Sequence, residues 1–272
     1  MKKAVCIMMV LALLAVLAAC QINVSGISAY AFDTRNFNMA TGDVSPTSAI
    51  DEIVIDWVSG NVNIMTGTQD AITVHESGVG ESAKVPLYYK VSNTTMTIAF
   101  AKNGTDCNKL SKTLTVTIPQ SRLLKGLTIN TVSSTVYVEQ AVTEEVDVET
   151  VSGRVECSLD SIQKVKVETV SASVKLRATY AKELNVETAS GALNLTLPSF
   201  EELEIESVSG NVNLALSKDA SFTMTASTVS GNVNTGDFAC TMSGKRYICG
   251  TAGNKSTIEV ETTSGNIVLK TA

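Results

Sequence analysis

Acidic residues at a fixed spacing are the side chains of this sequence that offer the most chemistry. Four glutamates, Glu149, Glu168, Glu187 and Glu206, follow one another in steps of 19 residues. Carboxylates bind Ca²⁺ and basic protein surfaces, and a pair about 5 Å apart cleaves glycosidic bonds in retaining enzymes. Besides a solvated acidic surface, three interpretations stay open: a divalent-cation site, a partner-binding site and a carbohydrate-active site.

Other signals for catalysis are weak. His75 is the only histidine, and no G-x-S-x-G sequence accompanies it. No Cys-x-x-Cys pair predicts zinc, and no Walker, dinucleotide or EF-hand sequence occurs. Only 5% of the residues are aromatic, with Trp57 as the single tryptophan, whereas sugar-cleaving clefts commonly use aromatic platforms. We therefore predict no catalytic residue and a protein that is not an enzyme.

The first 20 residues have the order of a lipoprotein signal peptide. Two lysines precede an apolar run over residues 4–16, and Leu-Ala-Ala then leads directly to Cys20. The run is shorter than the roughly 20 residues of a membrane-spanning helix. We predict cleavage after residue 19 and acyl chains such as palmitate on Cys20, with ordinary export and cleavage near Ala19 as the alternative.

The charge balance restricts the partners. The chain has a formal net charge of −6, and loss of residues 1–19 removes two lysines and no acid. Nucleic acids and anionic lipids are bound chiefly through Lys and Arg. We therefore expect no nucleic acid, a membrane contact through the lipid anchor alone, and a cation or a basic partner for the acidic surface.

Four cysteines remain in an exported chain after Cys6 and Cys20 are set aside, and disulfides are permitted outside the cytoplasm. Cys240 and Cys249 flank a Ser-Gly turn signal, so they could face each other across a hairpin. A disulfide and two free thiols both stay open for this pair. Cys157 has the position of a core residue.

A recurring phrase predicts how these residues are positioned. Val-Ser-Gly-Asn-Val-Asn and its variants punctuate short alternating strands, and no helical period is present. Four successive steps of 19 residues separate the marker serines from Ser133 to Ser209, which indicates a stacked array. The marker serines are Ser59, Ser133, Ser152, Ser171, Ser190, Ser209, Ser230 and Ser264.

We predict an all-β, right-handed parallel β-solenoid of about 19–21 residues per coil. Each coil has two strands joined at Ser-Gly, where glycine allows a positive φ. Alternation places two sets of side chains inward: Val146, Val148, Thr150, Val155, Cys157 and Leu159, and Leu203, Ile205, Ser207, Val212, Leu214 and Leu216. Residues 51–130 break the period and predict an irregular β-meander.

The same alternation places charged residues outward. Nine of twelve outward positions on four first strands are acids, with Lys164 and Lys166 among the rest. Carboxylates about 4.8 Å apart repel by about 0.9 kcal/mol at the dielectric of water, so counterions, lysines or raised pKa values must offset the repulsion. The opposite strands present Asn pairs, for which amide ladders are favoured over glycan binding.

The stretch from Asn38 to Ile64, with Ala-Thr-Gly-Asp and then Asp-Glu-Ile-Val-Ile-Asp-Trp-Val-Ser-Gly-Asn-Val-Asn-Ile, resembles a bacterial family of β-strand-repeat proteins known as putative adhesins. The closing Glu-Val-Glu-Thr-Thr-Ser-Gly-Asn-Ile from Glu259 is similar to it too. The resemblance covers residues 38–272. It implies a surface β-solenoid with no established activity and no agreed catalytic residues.

Three segments follow from these observations: a signal peptide over 1–19, a lipidated tether or entry segment over 20–50, and a solenoid domain over 51–272. We predict a non-enzymatic, lipid-anchored protein on the extracytoplasmic face of a bacterial cell membrane. Its envelope or extracellular partner, protein or glycan, is not named by the sequence. A carbohydrate-active enzyme and a Ca²⁺-binding protein are the alternatives.

Overall fold

The computed structural model describes residues 30–140, 143–250 and 256–272. The predicted signal peptide and Cys20 lie outside these residues. Strands are the main regular structure of the described chain, which divides into two compact units, with unit 1 ending at Gly153 and unit 2 covering Arg154–Ala272. Within the described residues, no helix is long and apolar enough to span a membrane.

The described residues of unit 1 form eight strands and a short 3-10 helix at Ser82–Lys84. The strands are β1 (Asn38–Met39), β2 (Glu52–Gly67), β3 (Thr73–Gly78), β4 (Tyr88–Ser92), β5 (Thr95–Ala99), β6 (Lys112–Pro119), β7 (Leu124–Glu139) and β8 (Thr143–Thr150).

The parallel stack of unit 1 departs from chain order. Strand β2 pairs in parallel with β5 and β6 and also with β7, which in turn pairs with β8. The first long strand of the chain therefore lies between strands that follow it. Antiparallel strands β4 and β3 pair with β5 and β6, so they cover backbone edges that could otherwise pair with another chain.

The entry segment packs against unit 1 from Tyr30 onward. Tyr30 is buried, its N–H donates to the carbonyl of Thr105 at 2.8 Å, and its hydroxyl donates to Asp56 Oδ1 at 2.5 Å. Val44 forms a bridge with Val74, and Ile50 is buried. The described part of the predicted 20–50 segment is thus irregular, and it covers unit 1, to which these contacts hold it.

A buried charge lies under this cover. The Lys112 side chain is fully buried and its Nζ donates to Glu76 Oε2 at 3.1 Å, to Val85 O at 2.9 Å and to Phe100 O. It also lies 5.0 Å from the centre of the Trp57 ring. Because an unpaired buried ammonium is very costly, these acceptors are what allow Lys112 to remain inside.

In unit 2, residues 154–250 and 256–272 form eleven strands: β9 (Val155–Thr169), β10 (Val174–Thr188), β11 (Leu193–Leu197), β12 (Ser199–Ser207), β13 (Val212–Leu216), β14 (Phe222–Thr228), β15 (Val233–Asn234), β16 (Cys240–Ser243), β17 (Arg246–Cys249), β18 (Thr257–Thr262) and β19 (Ile267–Thr271).

The 19-residue period is the pairing register of unit 2. Val155, Val174, Leu193 and Val212 are successive partners in parallel strands, each 19 residues from the last. All twelve side chains that alternation placed inward are buried. The predicted parallel β-solenoid with two strands per coil is therefore confirmed.

The last coil of the chain does not lie last in the stack. Strand β18 pairs with β12 on one side and with β14 on the other, and β19 likewise pairs with β13 and β15. The β16–β17 hairpin then pairs antiparallel with β14. The closing coil is thus inserted between two coils that precede it in sequence.

At the corners, glycine is required more for the close stacking of neighbouring coils than for a positive φ. A Cβ on Gly210, Gly265 or Gly231 would lie within about 2.0 Å of the carbonyl oxygen of the glycine in the neighbouring coil. Positive φ occurs at Gly60, Gly153 and Gly191 and not at these three, so the predicted positive φ holds at only some corners. The common requirement is backbone contact between coils.

Candidate functional site

The outward glutamates of unit 2 form the candidate site, which we call the acidic face. Alternation in β9, β10, β12 and β18 turns these carboxylates away from the core. Parallel pairing then sets them side by side at the strand spacing of about 4.8 Å. The members are Glu168, Glu183, Glu187, Glu202, Glu204, Glu206, Glu259 and Glu261.

One column runs through this face. Glu168 is the register partner of Glu187, Glu187 of Glu206, and Glu206 of Glu261. Three of the four glutamates predicted from the sequence are therefore neighbours within unit 2. The fourth, Glu149, belongs to β8 of unit 1, where its partner is Asn130.

Glu259 and Glu261 are the members that sequence reasoning missed. Stacking in chain order would have placed β14 beside β12, and β14 offers Thr223, Thr225 and Ser227 at the equivalent positions. The insertion of β18 brings two more carboxylates instead. A signal was present, because Glu261 precedes Ser264 by three residues, as Glu206 precedes Ser209.

Two lysines pair with glutamates on the β9–β10 side of the acidic face. Lys164 pairs with Glu183 and Lys166 with Glu168, each at 2.6 Å. Burial raises the pKa of Glu187, and Glu168 raises it further while Lys166 lowers it. On β12, farther along the stack, the charges that act on Glu206 are those of other glutamates.

Glu206 shows this directly. Partial burial raises the pKa of its carboxyl, and the charges that add to the shift are those of Glu187, Glu204, Glu261 and Glu259. Every one of these charges is negative. A cationic partner that lies along β12 and β18 would relieve this repulsion as it binds.

The structure does not gather these carboxylates as ligands of one ion. Among residues 30–140, 143–250 and 256–272, no group of three or more His, Cys, Asp or Glu side chains is placed to hold a metal ion. Ca²⁺ requires six to eight oxygens at about 2.3–2.6 Å. Carboxylates in a row across parallel strands can instead each pair with a separate cationic group.

The other candidate residues occupy different places. Cys240 and Cys249 form a disulfide across the β16–β17 hairpin. Burial raises the pKa of the Cys157 thiol to about 12 and that of Cys107 to about 11, so neither is a reactive thiolate near neutral pH. His75 Nδ1 lies 2.6 Å from Asp43 Oδ1 at the surface of unit 1.

Asparagines of the repeated phrase bond to one another along the stack. Asn213 Nδ2 donates to Asn194 Oδ1 at 3.2 Å, and the backbone N–H of Asn266 donates to Asn211 Oδ1 at 2.9 Å. The backbone N–H of Asn232 donates to Asn266 Oδ1 at 3.0 Å. These bonds give the asparagines a structural role between coils.

Comparison with known proteins adds a family and several similar folds. The family model described as Toastrack DUF4097 matches residues 50–207 and 124–270. No curated protein matches the chain.

Two solved structures are among those similar to this chain. A putative adhesin from Bacteroides fragilis NCTC 9343 is 13% identical, with a TM-score of 0.46 over 85% of this chain and 98% of that one. A putative cell adhesion protein from Clostridium sporogenes ATCC 15579 is 14% identical, with a TM-score of 0.40 over 85% and 99%.

Proposed function

This chain belongs to the Toastrack DUF4097 family, and from that membership we propose that it is a non-enzymatic binding protein of the bacterial cell envelope. Its acidic face is the binding surface, and a basic patch on an envelope or extracellular protein is the partner. The proposal depends on the column of glutamates that the strand register sets side by side, from Glu168 through Glu187 and Glu206 to Glu261. Binding of a cationic partner to such a surface is energetically favourable.

The flatness of the acidic face favours a protein partner. Its carboxylates extend across four adjacent strands, whereas enzymes commonly enclose small substrates in concave pockets. Lysine and arginine side chains are long and carry one charge each, so several can pair with separate glutamates at once. Binding should weaken as salt rises, because exposed charges are screened.

A lipid on Cys20 would hold this surface at the membrane. Ten residues separate Cys20 from Tyr30, the first described residue, which is buried in unit 1. A chain of this length spans at most about 35 Å. Metabolic labelling with palmitate tests the anchor: the wild-type protein should incorporate label, and Cys20→Ser should not.

Co-sedimentation with purified envelopes tests the acidic face. The full-length protein carries Cys20→Ser so that its own lipid does not cause sedimentation. The face variant changes Glu204, Glu206, Glu259 and Glu261 to Gln. The matched control neutralises four exposed acids elsewhere, namely Asp70, Glu139, Glu144 and Asp219, as Asn or Gln.

We expect the control to sediment like the parent protein and the face variant to lose most of its binding. We also expect the parent to be released by added salt. Equal binding by the face variant would refute the proposal. Equal loss in both variants would also refute it, since net charge and not this surface would then determine binding.

A further inference from the structure

A cleft in unit 1 has the build of a small-molecule site that is separate from the acidic face. Residues of the covering segment 39–48 line, together with Tyr89 and Val91 of β4, a partly open space of about 400 Å³. Ligand sites in proteins commonly fall between about 300 and 1,000 Å³. The cleft therefore has room for one or two small rings.

Hydrogen bonds hold both ends of the covering segment. The backbone N–H of Ala40 donates to Leu87 O at 3.0 Å, and Val44 and Val74 exchange backbone bonds of 2.9 and 2.8 Å. Ser45 Oγ donates to Ile72 O at 3.1 Å. Because the segment is tied to β4 at one end and to β3 at the other, a ligand would not have to order it.

The two walls differ in chemistry. Tyr89 and Val91 lie two residues apart and so share one face of β4, where both are half-buried. The opposite wall carries exposed hydroxyls, among them Thr41, Thr47 and Ser48. An aromatic and aliphatic floor facing hydroxyl groups complements a molecule with an apolar ring face and a hydroxylated rim.

The charge of the lining further restricts which ligands the cleft can bind. Asp43 is the charged residue of the lining, and no Lys or Arg belongs to it, so phosphate or carboxylate groups would meet no cation there. Asp43 Oδ1 is held by His75 Nδ1 at 2.6 Å, and the Asp43 side chain is 72% exposed. A carboxylate fixed at the mouth accepts strong hydrogen bonds from ligand hydroxyls.

From these features we propose that the cleft binds a neutral pyranose sugar unit. The ring of Tyr89 packs on the C–H face of the sugar, Asp43 accepts from its hydroxyls, and the wall hydroxyls complete the contacts. This site does not depend on the acidic face, since all of its residues belong to unit 1. The two proposals can therefore fail separately.

Titration of the full-length protein with three monosaccharides, followed by ligand-observed NMR and calorimetry, tests the assignment. N-acetylglucosamine and galactose are the neutral probes, and glucuronate is the anionic probe, whose carboxylate would be repelled by Asp43. We expect saturable binding of at least one neutral sugar and weaker binding of glucuronate. Saturation by neither neutral sugar, or tighter binding of glucuronate, would overturn the proposal.

Three variants locate the site. Tyr89→Ala should weaken the neutral sugar about tenfold or more, equal to about 1.4 kcal/mol or more, and Tyr89→Phe should retain most of the affinity. Tyr137→Ala removes a tyrosine that is 39% exposed on β7 and should change nothing. If Tyr89→Ala does not fold, Asp43→Asn at the exposed mouth replaces it. Wild-type affinity in the variant that replaces Tyr89 or Asp43 would place the sugar elsewhere and overturn the assignment.

Discussion

Units 1 and 2 share one feature of coil order and differ in the residues that cover the edge of the stack. In each unit a coil lies between two coils that are both on the same side of it in the chain: β2 lies between β5–β6 and β7, which both follow it, and β18–β19 lies between β12–β13 and β14–β15, which both precede it. The repeated phrase therefore defines the shape of a coil without defining which coil lies beside it.

The two ends differ in chemistry. Unit 1 closes over a buried Lys112–Glu76 pair and a buried Asp56, covered by Tyr30. Unit 2 closes with a hairpin whose strands are joined by the Cys240–Cys249 disulfide. In both units, residues outside the repeat cover the edge of the stack. They do so with buried charges in unit 1 and with a covalent link in unit 2.

The largest expected effect comes from breaking the buried pair. Lys112→Ala leaves Glu76, Val85 O and Phe100 O without their donor, and loss of one partner of a buried pair costs about 3–5 kcal/mol. Urea denaturation should report this loss in the free energy of unfolding. Lys125→Ala, at an exposed pair with Asp51, is the control and should cost less than about 1 kcal/mol. Similar costs for both would show that unit 1 does not rely on the buried charge.

Asp56 gives the next effect, and it depends on pH. Burial raises the pKa of its carboxyl from 3.8 to about 6. The folded state then holds a proton that the unfolded state releases, so this group stabilises the fold below about pH 4 and that stability is lost as pH rises through about 6. A shift of this size is worth about 3 kcal/mol.

Asp56→Asn removes this dependence and keeps an acceptor for the Tyr30 hydroxyl. We expect the variant to be more stable than the parent by up to about 3 kcal/mol near pH 8 and equally stable near pH 4. Melting temperatures at both pH values provide the measurement. A variant that is destabilised at both would mean that the Asp56 carboxylate is favourable in the folded state.

The disulfide should have a similar or smaller effect, confined to unit 2. Replacing Cys240 and Cys249 by Ser releases a short loop, for which loop-closure entropy predicts a cost of about 2–3 kcal/mol. Amide hydrogen exchange should accelerate in Phe222–Thr225 of β14, which β17 covers. Exchange in β5 and β6 of unit 1 is the internal control and should be unchanged. Equal acceleration in both units would contradict separate closure.

The smallest effect concerns the acidic face. Glu206→Gln removes one charge from a row of like charges, and such cross-strand repulsion costs about 0.2–1 kcal/mol. The melting temperature should therefore rise slightly at neutral pH and low salt, and the gain should vanish at high salt. Glu139→Gln, at an exposed position off the row, is the control. A gain that persists at high salt would point to packing and not to charge.

Alternation and period predicted much of unit 2 and the last strand of unit 1. The side chains from Val146 to Leu159 and from Leu203 to Leu216 that alternate inward are buried, because each strand follows its own local pattern. The order of the coils could not be predicted in this way. Thr262, Thr228 and Ser207 begin nearly identical corners, so any of these coils fits beside any other.

The buried charged residues of unit 1 depend on contacts that local sequence patterns do not predict. Lys112 is in phase with Leu114, Val116 and Ile118 along β6, so alternation alone points it inward, whereas its charge favours the surface. Asp56 points away from Ile55 and Trp57, and its carboxylate accepts a hydrogen bond from the distant Tyr30. Long-range covers of this kind depend on the entry segment, which has no period to follow.

The position of β18 and β19 has a consequence for how the chain matures. A polypeptide is made from its N-terminus, so the slot between β12–β13 and β14–β15 can receive its own coil only after residues 257–271 have been made. A premature stop near residue 256 would delete a middle layer, and the layers on either side would be left facing a gap. Unit 2 therefore cannot complete its stack until these residues are present.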